Sequence, residues 1–211
     1  MSKANQKATW VALAVVGACG LGLWTAGSAL FGDDSAQGTA QLTNRPWIER
    51  VPANERDMIG HLILLDHPQG RFGVTGRSSN WRHLLEVYRW RLDGDRLGLF
   101  FPQDHVKVGV KVRTWECGGE APAPFDLCLE ITDARGRKAV VYSREDWEVR
   151  PERLEADLAN IAEELADDDQ PALAAVLGAA DSWTSDSQLG ALEALDLDGR
   201  DWIEEEAFSP F

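Results

Sequence analysis

The chain is poor in the residues from which catalytic centres are usually assembled. It holds four histidines, three cysteines and two tyrosines in 211 residues. No G-x-S-x-G elbow, H-E-x-x-H helix, phosphate-binding glycine loop or G-x-G-x-x-G fingerprint occurs, which removes the commonest signatures of serine hydrolases, zinc proteases, P-loop nucleotidases and dinucleotide enzymes. No two cysteines form a C-x-x-C pair, so a structural zinc site is not expected. No cofactor is expected either, and the reading is of a non-catalytic protein.

A second scarcity is of charge. Residues 9–31 contain no Asp, Glu, Lys or Arg. As a helix this run is roughly 34 Å long, enough to cross a hydrocarbon core of ~30 Å. Lys3 and Lys7 precede it and Asp33 and Asp34 follow it, so the positive-inside rule puts residues 1–8 in the cytoplasm and everything after the run outside it. The expected address is therefore a single-pass inner-membrane protein with a periplasmic or other extracytoplasmic C-terminal domain. Two other readings of the run stay open. It could be a cleaved signal peptide, although the run exceeds the usual 7–15 residues of a signal core. The stretch 16–19, ending at Cys19, also resembles a lipoprotein lipobox, which implies lipidation of Cys19, although the residues after it stay apolar. Ala14, Ala18, Gly22 and Ala26 form a stripe of small residues along one face, the pattern that lets membrane helices pack closely.

The third scarcity is of basic residues near the C-terminus. After residue 150 there are seventeen acidic and two basic side chains, so the net charge of -14 belongs to the last part of the chain. Such an end disfavours nucleic acid and anionic lipid and favours a basic partner. An extracytoplasmic address also argues against nucleic acid.

Between these extremes lies a β-rich body. Residues 32–45 are small and polar and read as a tether. From 46 to 150 the chain shows period two, most clearly where Val106, Val108, Val110 and Val112 alternate with Lys107, Gly109, Lys111 and Arg113. Further strands are expected over 58–65, 71–76, 86–92, 96–101, 125–132 and 138–143. Asp93-Gly94 is a strong hairpin turn, and a second turn falls at 133–136. Residues 78–85 read as a short capped helix, with Ser79 or Asn80 as N-cap. Short antiparallel strands in series imply a small barrel or sandwich. Arg89, Arg91, Lys107, Lys111 and Arg113 would give it a basic face, for which the acidic end of the same chain is a natural target. Large rings are expected to carry the packing, since there are nine tryptophans.

The order of elements, with Trp47 near the first strand and hairpins following, is similar to lipocalin-like barrels over residues 47–147. The resemblance implies a barrel and, as an alternative function, carriage of a lipid or other apolar small molecule. It departs from the family at the opening, where Arg45 and Pro46 precede the tryptophan.

Cys117 and Cys128 are expected to form a disulfide across the loop between them, given an oxidising compartment. Asp66 with His67, and Asp104 with His105, fall at strand ends or turns and would make an acid/base or metal site only if the fold joined them. Residues 151–211 change to a helical period, with Leu154, Leu158, Ile161 and Leu165 on one face. A second helix is expected through Leu173, Val176 and Leu177, with Asp169 as N-cap, and a third over 187–195. Finally, residues 196–208 resemble a degenerate EF-hand loop. Asp196, Asp198, Gly199 and Ile203 match the motif, while Arg200, Asp201 and Ala207 depart from it. That resemblance implies at most weak cation gathering at Asp196, Asp198, Asp201 and Glu206, with no resident metal. The leading expectation for function is a membrane-anchored protein-interaction or scaffold protein of a cell-envelope complex.

Overall fold

The alternating segments become the staves of a barrel. The computed structural model describes residues 38–119 and 121–178. Eight strands follow one another around a closed antiparallel sheet: β1 (Pro46–Ile48), β2 (Ile59–His67), β3 (Gly70–Ser79), β4 (Arg82–Asp93), β5 (Arg96–Phe101), β6 (Val106–Glu116), β7 (Leu127–Thr132) and β8 (Lys138–Ser143). This is the up-and-down architecture of lipocalin-like barrels, so the sandwich alternative falls away. A single paired position, Ile48 opposite Tyr142, links β1 to β8. The seam is reinforced by Ser143 Oγ donating to the Pro46 carbonyl at 2.7 Å and Arg45 Nη1 donating to the Arg144 carbonyl at 2.9 Å.

Large side chains fill the interior. Trp47, Leu64, Tyr88, Trp90, Leu97, Leu99, Phe101, Val112, Leu129 and Ile131 belong to one buried cluster. Their polar atoms are satisfied within the wall, with Trp47 Nε1 donating to the Leu42 carbonyl and Tyr88 Oη to the Ile63 carbonyl. The space left among Leu62, Leu64, Thr75, Tyr88, Leu99, Val110 and Ile131 is about 10 Å³, room for about one water-sized sphere.

A second apolar layer lies outside the barrel. After a 3₁₀ turn (Pro151–Arg153), α1 (Leu154–Asp167) and α2 (Pro171–Gly178) pack on the outer faces of β1 to β3. Leu154, Leu158, Ile161 and Leu165 are buried against Ile48, Ile59, Ile63, Leu65 and Trp147, each worth roughly 1.5–3 kcal/mol in transfer terms. Arg150 clamps the start of α1, reaching both carboxylate oxygens of Asp157 at 2.6 and 2.9 Å. The hydrogen bonds from Arg150 hold that carboxyl down to a pKa of about 2.

Three expectations need correction. Residues 78–85 are not helical but form the β3–β4 hairpin, with Ser78 opposite His83 and Ser79 opposite Arg82. Ser and Asn serve tight turns as readily as helix caps, and here the Asn80 amide donates to the Glu55 carbonyl while Ser79 Oγ accepts from the Trp81 amide. The tether expected over 32–45 is tied into the barrel from Gly38 onward. Gly38 bridges Thr114, Leu42 is fully buried, and the Asn44 amide donates to the Leu64 carbonyl. Asp169 does not start the second helix directly, since it takes a positive φ of 58° two residues before Pro171.

Among the described residues no helix is long and apolar enough to cross a membrane. Residues 9–31, with Ala14, Ala18, Gly22 and Ala26, lie outside those residues. So do the third helix expected over 187–195 and the loop with Asp196, Asp198, Asp201 and Glu206.

Candidate interaction surfaces

The fold separates the residues that could have made a reactive centre. Asp66 and His67 end β2 beside the β2–β3 turn, whereas Asp104 and His105 lie in the β5–β6 turn at the opposite end of the barrel. Asp66 accepts from Arg71, and His67 lies against the ring of Phe72. Among the described residues no group of three or more His, Cys, Asp or Glu could hold a metal ion. Cys117 and Cys128 are joined in a disulfide, with their Cα atoms 5.4 Å apart.

One histidine–serine contact has the form of a base and a nucleophile. His61 Nε2 lies 2.8 Å from Ser78 Oγ. Both are sealed, Ser78 at 0% and His61 at 3% exposure, on the outer face of β2 and β3 beneath the helical layer. Burial, with nearby His83 adding to it, holds the His61 pKa down to about 3, so the ring is neutral at physiological pH. A neutral, enclosed pair that no substrate reaches is a packing element of the layer interface.

The outer face of β5, β6 and the second half of β4 is different, because among the described residues it adds nothing to the cluster that the helices bury, whereas Leu85 at the start of β4 packs against that cluster. Strand register places the residues in rows across three strands. Arg89, Phe100 and Lys107 form one row, Arg91, Gly98 and Gly109 the next, and Asp93, Arg96 and Lys111 a third that runs on to Thr132 and Lys138. The paired glycines make a flat backbone floor, walled by Phe100 and ringed by cations. At Gly109 a Cβ would meet nothing within 4 Å, so the fold itself does not require glycine there. Carboxylates border the face at Asp95, which is 3.9 Å from Lys111, and at Glu130, which pairs with Arg113 and Lys138 at 3.3 and 3.2 Å. The basic face expected from Arg89, Arg91, Lys107, Lys111 and Arg113 is thus assembled on adjacent strands. Arg96 and the glycine floor were not foreseen, because only register brings them together.

The β3–β4 hairpin is the other distinctive surface. β4 pairs with β5 only from Arg89 onward, so its first residues run past β5 at the barrel mouth and leave Trp81 and Leu84 exposed there. These are 76% and 49% exposed, the large apolar side chains left in solvent among the described residues. The reading of 78–85 as a helix hid them. The alternation of Leu84, Glu86, Tyr88 and Trp90 on one side of the strand was the signal available. Glu86, at the barrel mouth near this hairpin, has its pKa raised by burial and by the charge of Asp104.

The fold therefore offers a packed barrel, a basic sheet face and an exposed apolar hairpin. Comparison of the chain with known protein families, with curated proteins and with solved structures finds no match.

Proposed function

We propose that the chain is a membrane-anchored, extracytoplasmic, non-catalytic protein that binds another protein of a cell-envelope complex through its β3–β4 hairpin. The observation that carries this reading is the exposure of Trp81 and Leu84 at the end of the barrel opposite the one where the chain enters. Gly38 pairs with Thr114 near the end of β6, whereas the hairpin turns at the end where β6 begins. Strands of ten to twelve residues, at ~3.3 Å per residue and a tilt near 40°, put those ends roughly 25–30 Å apart. With residues 9–31 as an anchor, the hairpin stands away from the bilayer, where a protein partner can reach it. Tryptophan is the residue most often found to dominate protein interfaces.

The packed interior supports binding at the surface over carriage inside. Among the described residues, the space between Leu62, Tyr88 and Ile131 is about 10 Å³, against roughly 300–1,000 Å³ for pockets that enclose small-molecule ligands. The anchor and the address rest on the uncharged run and its flanking lysines, and the disulfide agrees with an oxidising compartment.

The test is site-specific photocrosslinking in intact membranes, with the photoreactive residue at position 81 or 84 of the full chain. A discrete protein adduct is expected from both positions, and none from Arg135 in the β7–β8 turn. Adducts to lipid alone, or equal labelling from all three positions, would remove the reading.

A further inference from the structure

From the basic face on β4 to β6 we infer a second, intramolecular contact: residues 196–208 of the same chain dock on the Gly98–Gly109 floor. Three observations support this occupant. The first is charge. Residues 181–206 contain nine acidic side chains and one basic one, while the floor is ringed by Arg89, Arg91, Arg96, Lys107 and Lys111.

The second is shape. In the segment Trp202 and Ile203 precede Glu204, Glu205 and Glu206, with Phe208 just beyond. A backbone floor without side chains, bounded by Phe100, accepts a large ring, and the surrounding cations accept carboxylates. Aromatic anchors flanked by charge-assisted contacts are a compact way to hold a peptide on a sheet. Gly109 fits this role, since the barrel has open space for a side chain there and yet carries none.

The third is reach. α2 ends at Gly178 and packs with the helical layer on the β3 side of the barrel. β4, the first strand of the basic face, is the next stave. The three strands of the face span about 10 Å between their outer axes, at ~4.8 Å per strand. The residues between 178 and 196 can cover up to roughly 60 Å when extended, so the connection does not limit docking. α1, which is acidic, and α2, which carries no charged side chain, lie over β1 to β3.

Hydrogen exchange read by mass spectrometry on the full chain in detergent tests this contact. Peptides covering 196–208 are expected to exchange at least ten times more slowly than the same sequence as a free peptide. That protection should vanish in Lys107→Glu/Lys111→Glu, in Gly109→Val, and at about 1 M salt, where the screening length falls to ~3 Å. Adding Glu204→Lys/Glu205→Lys/Glu206→Lys to the lysine variant should restore it. The control Arg56→Glu/Arg135→Glu makes the same change in net charge away from the face and should leave protection intact. Unchanged exchange in β2 and β7 reports that each variant is folded. Absence of protection in the parent chain overturns the inference, as does protection indifferent to both face variants. Protection that rises with protein concentration overturns it too, because the occupant would then be a second copy.

Discussion

At Gly73 a single hydrogen atom in place of a side chain lets the barrel interior close. A Cβ there would stand 2.3 Å from the Ile63 carbonyl oxygen and 2.6 Å from the Tyr88 ring and hydroxyl. Tyr88 crosses over this glycine to donate to that same carbonyl at 2.8 Å, and its full burial drives the phenol pKa up. Gly73→Ala is therefore expected to destabilise the fold by about 3 kcal/mol, the upper part of the range for overpacked cores. The loss would appear as a lower denaturant midpoint with an unchanged slope. A midpoint equal to that of the parent chain would show that the ring moves aside at no cost. Residues such as Gly73 and Leu42 were not legible beforehand, since their importance lies in neighbours distant in sequence. By contrast, the inward valines of β6 were legible, because period two is a local property of the chain.

At the scale of elements, the strands were read well where alternation met a clear turn. The bounds of β5 and β8 match the expected 96–101 and 138–143, and the apolar stripe of α1 is buried as its spacing required. The β3–β4 hairpin was misread because Ser79 and Asn80 suit a cap and a turn alike, and only pairing with β2 decides between them. The basic face was half legible: its cations follow from alternation, but the glycine floor needs the register of β5 against β6. The loop closed by Cys117 and Cys128 joins β6 to β7. Replacing both cysteines with serine should cost about 3 kcal/mol through the freed loop. The same loss is expected on reduction of the parent chain. Equal thermal midpoints with and without reductant would argue against it.

For the molecule as a whole, acid is the condition that tests the two layers together. His61, neutral and buried between barrel and helices, has a pKa of about 3 in place of its ordinary 6.5. The unfolded chain takes up this proton first, so the contribution of His61 is complete above pH 6.5 and declines as pH falls toward 3. The slope is at most about 1.4 kcal/mol per pH unit. Asp57 and Asp157, each hydrogen-bonded by an arginine and held near pKa 2, add losses of the same sign below about pH 4. Glu86 works in the opposite direction, because its folded form takes up a proton more readily than usual. Urea unfolding across this range should show stability falling from pH 6.5 downward, and His61→Gln should flatten the part above pH 4. A parent chain equally stable at pH 7 and pH 4.5 would contradict the burial of His61.

The seam between β1 and β8 also bears on the order in which the molecule forms. Each hairpin from β2 to β8 joins neighbours in sequence, but Ile48 must wait for Tyr142, and Asn44 for the Val149 amide that donates to its carbonyl. Contacts this distant are entropically slow to make, and β1 has only three residues with which to hold them. A chain emerging N-terminus first thus releases its closing stave long before the strand that receives it. Until residue 149 has emerged, the sheet has two bare edges and Trp47 lacks its enclosure. In that interval the nascent chain is open to edge pairing with a neighbour, a hazard that ends when the ring closes.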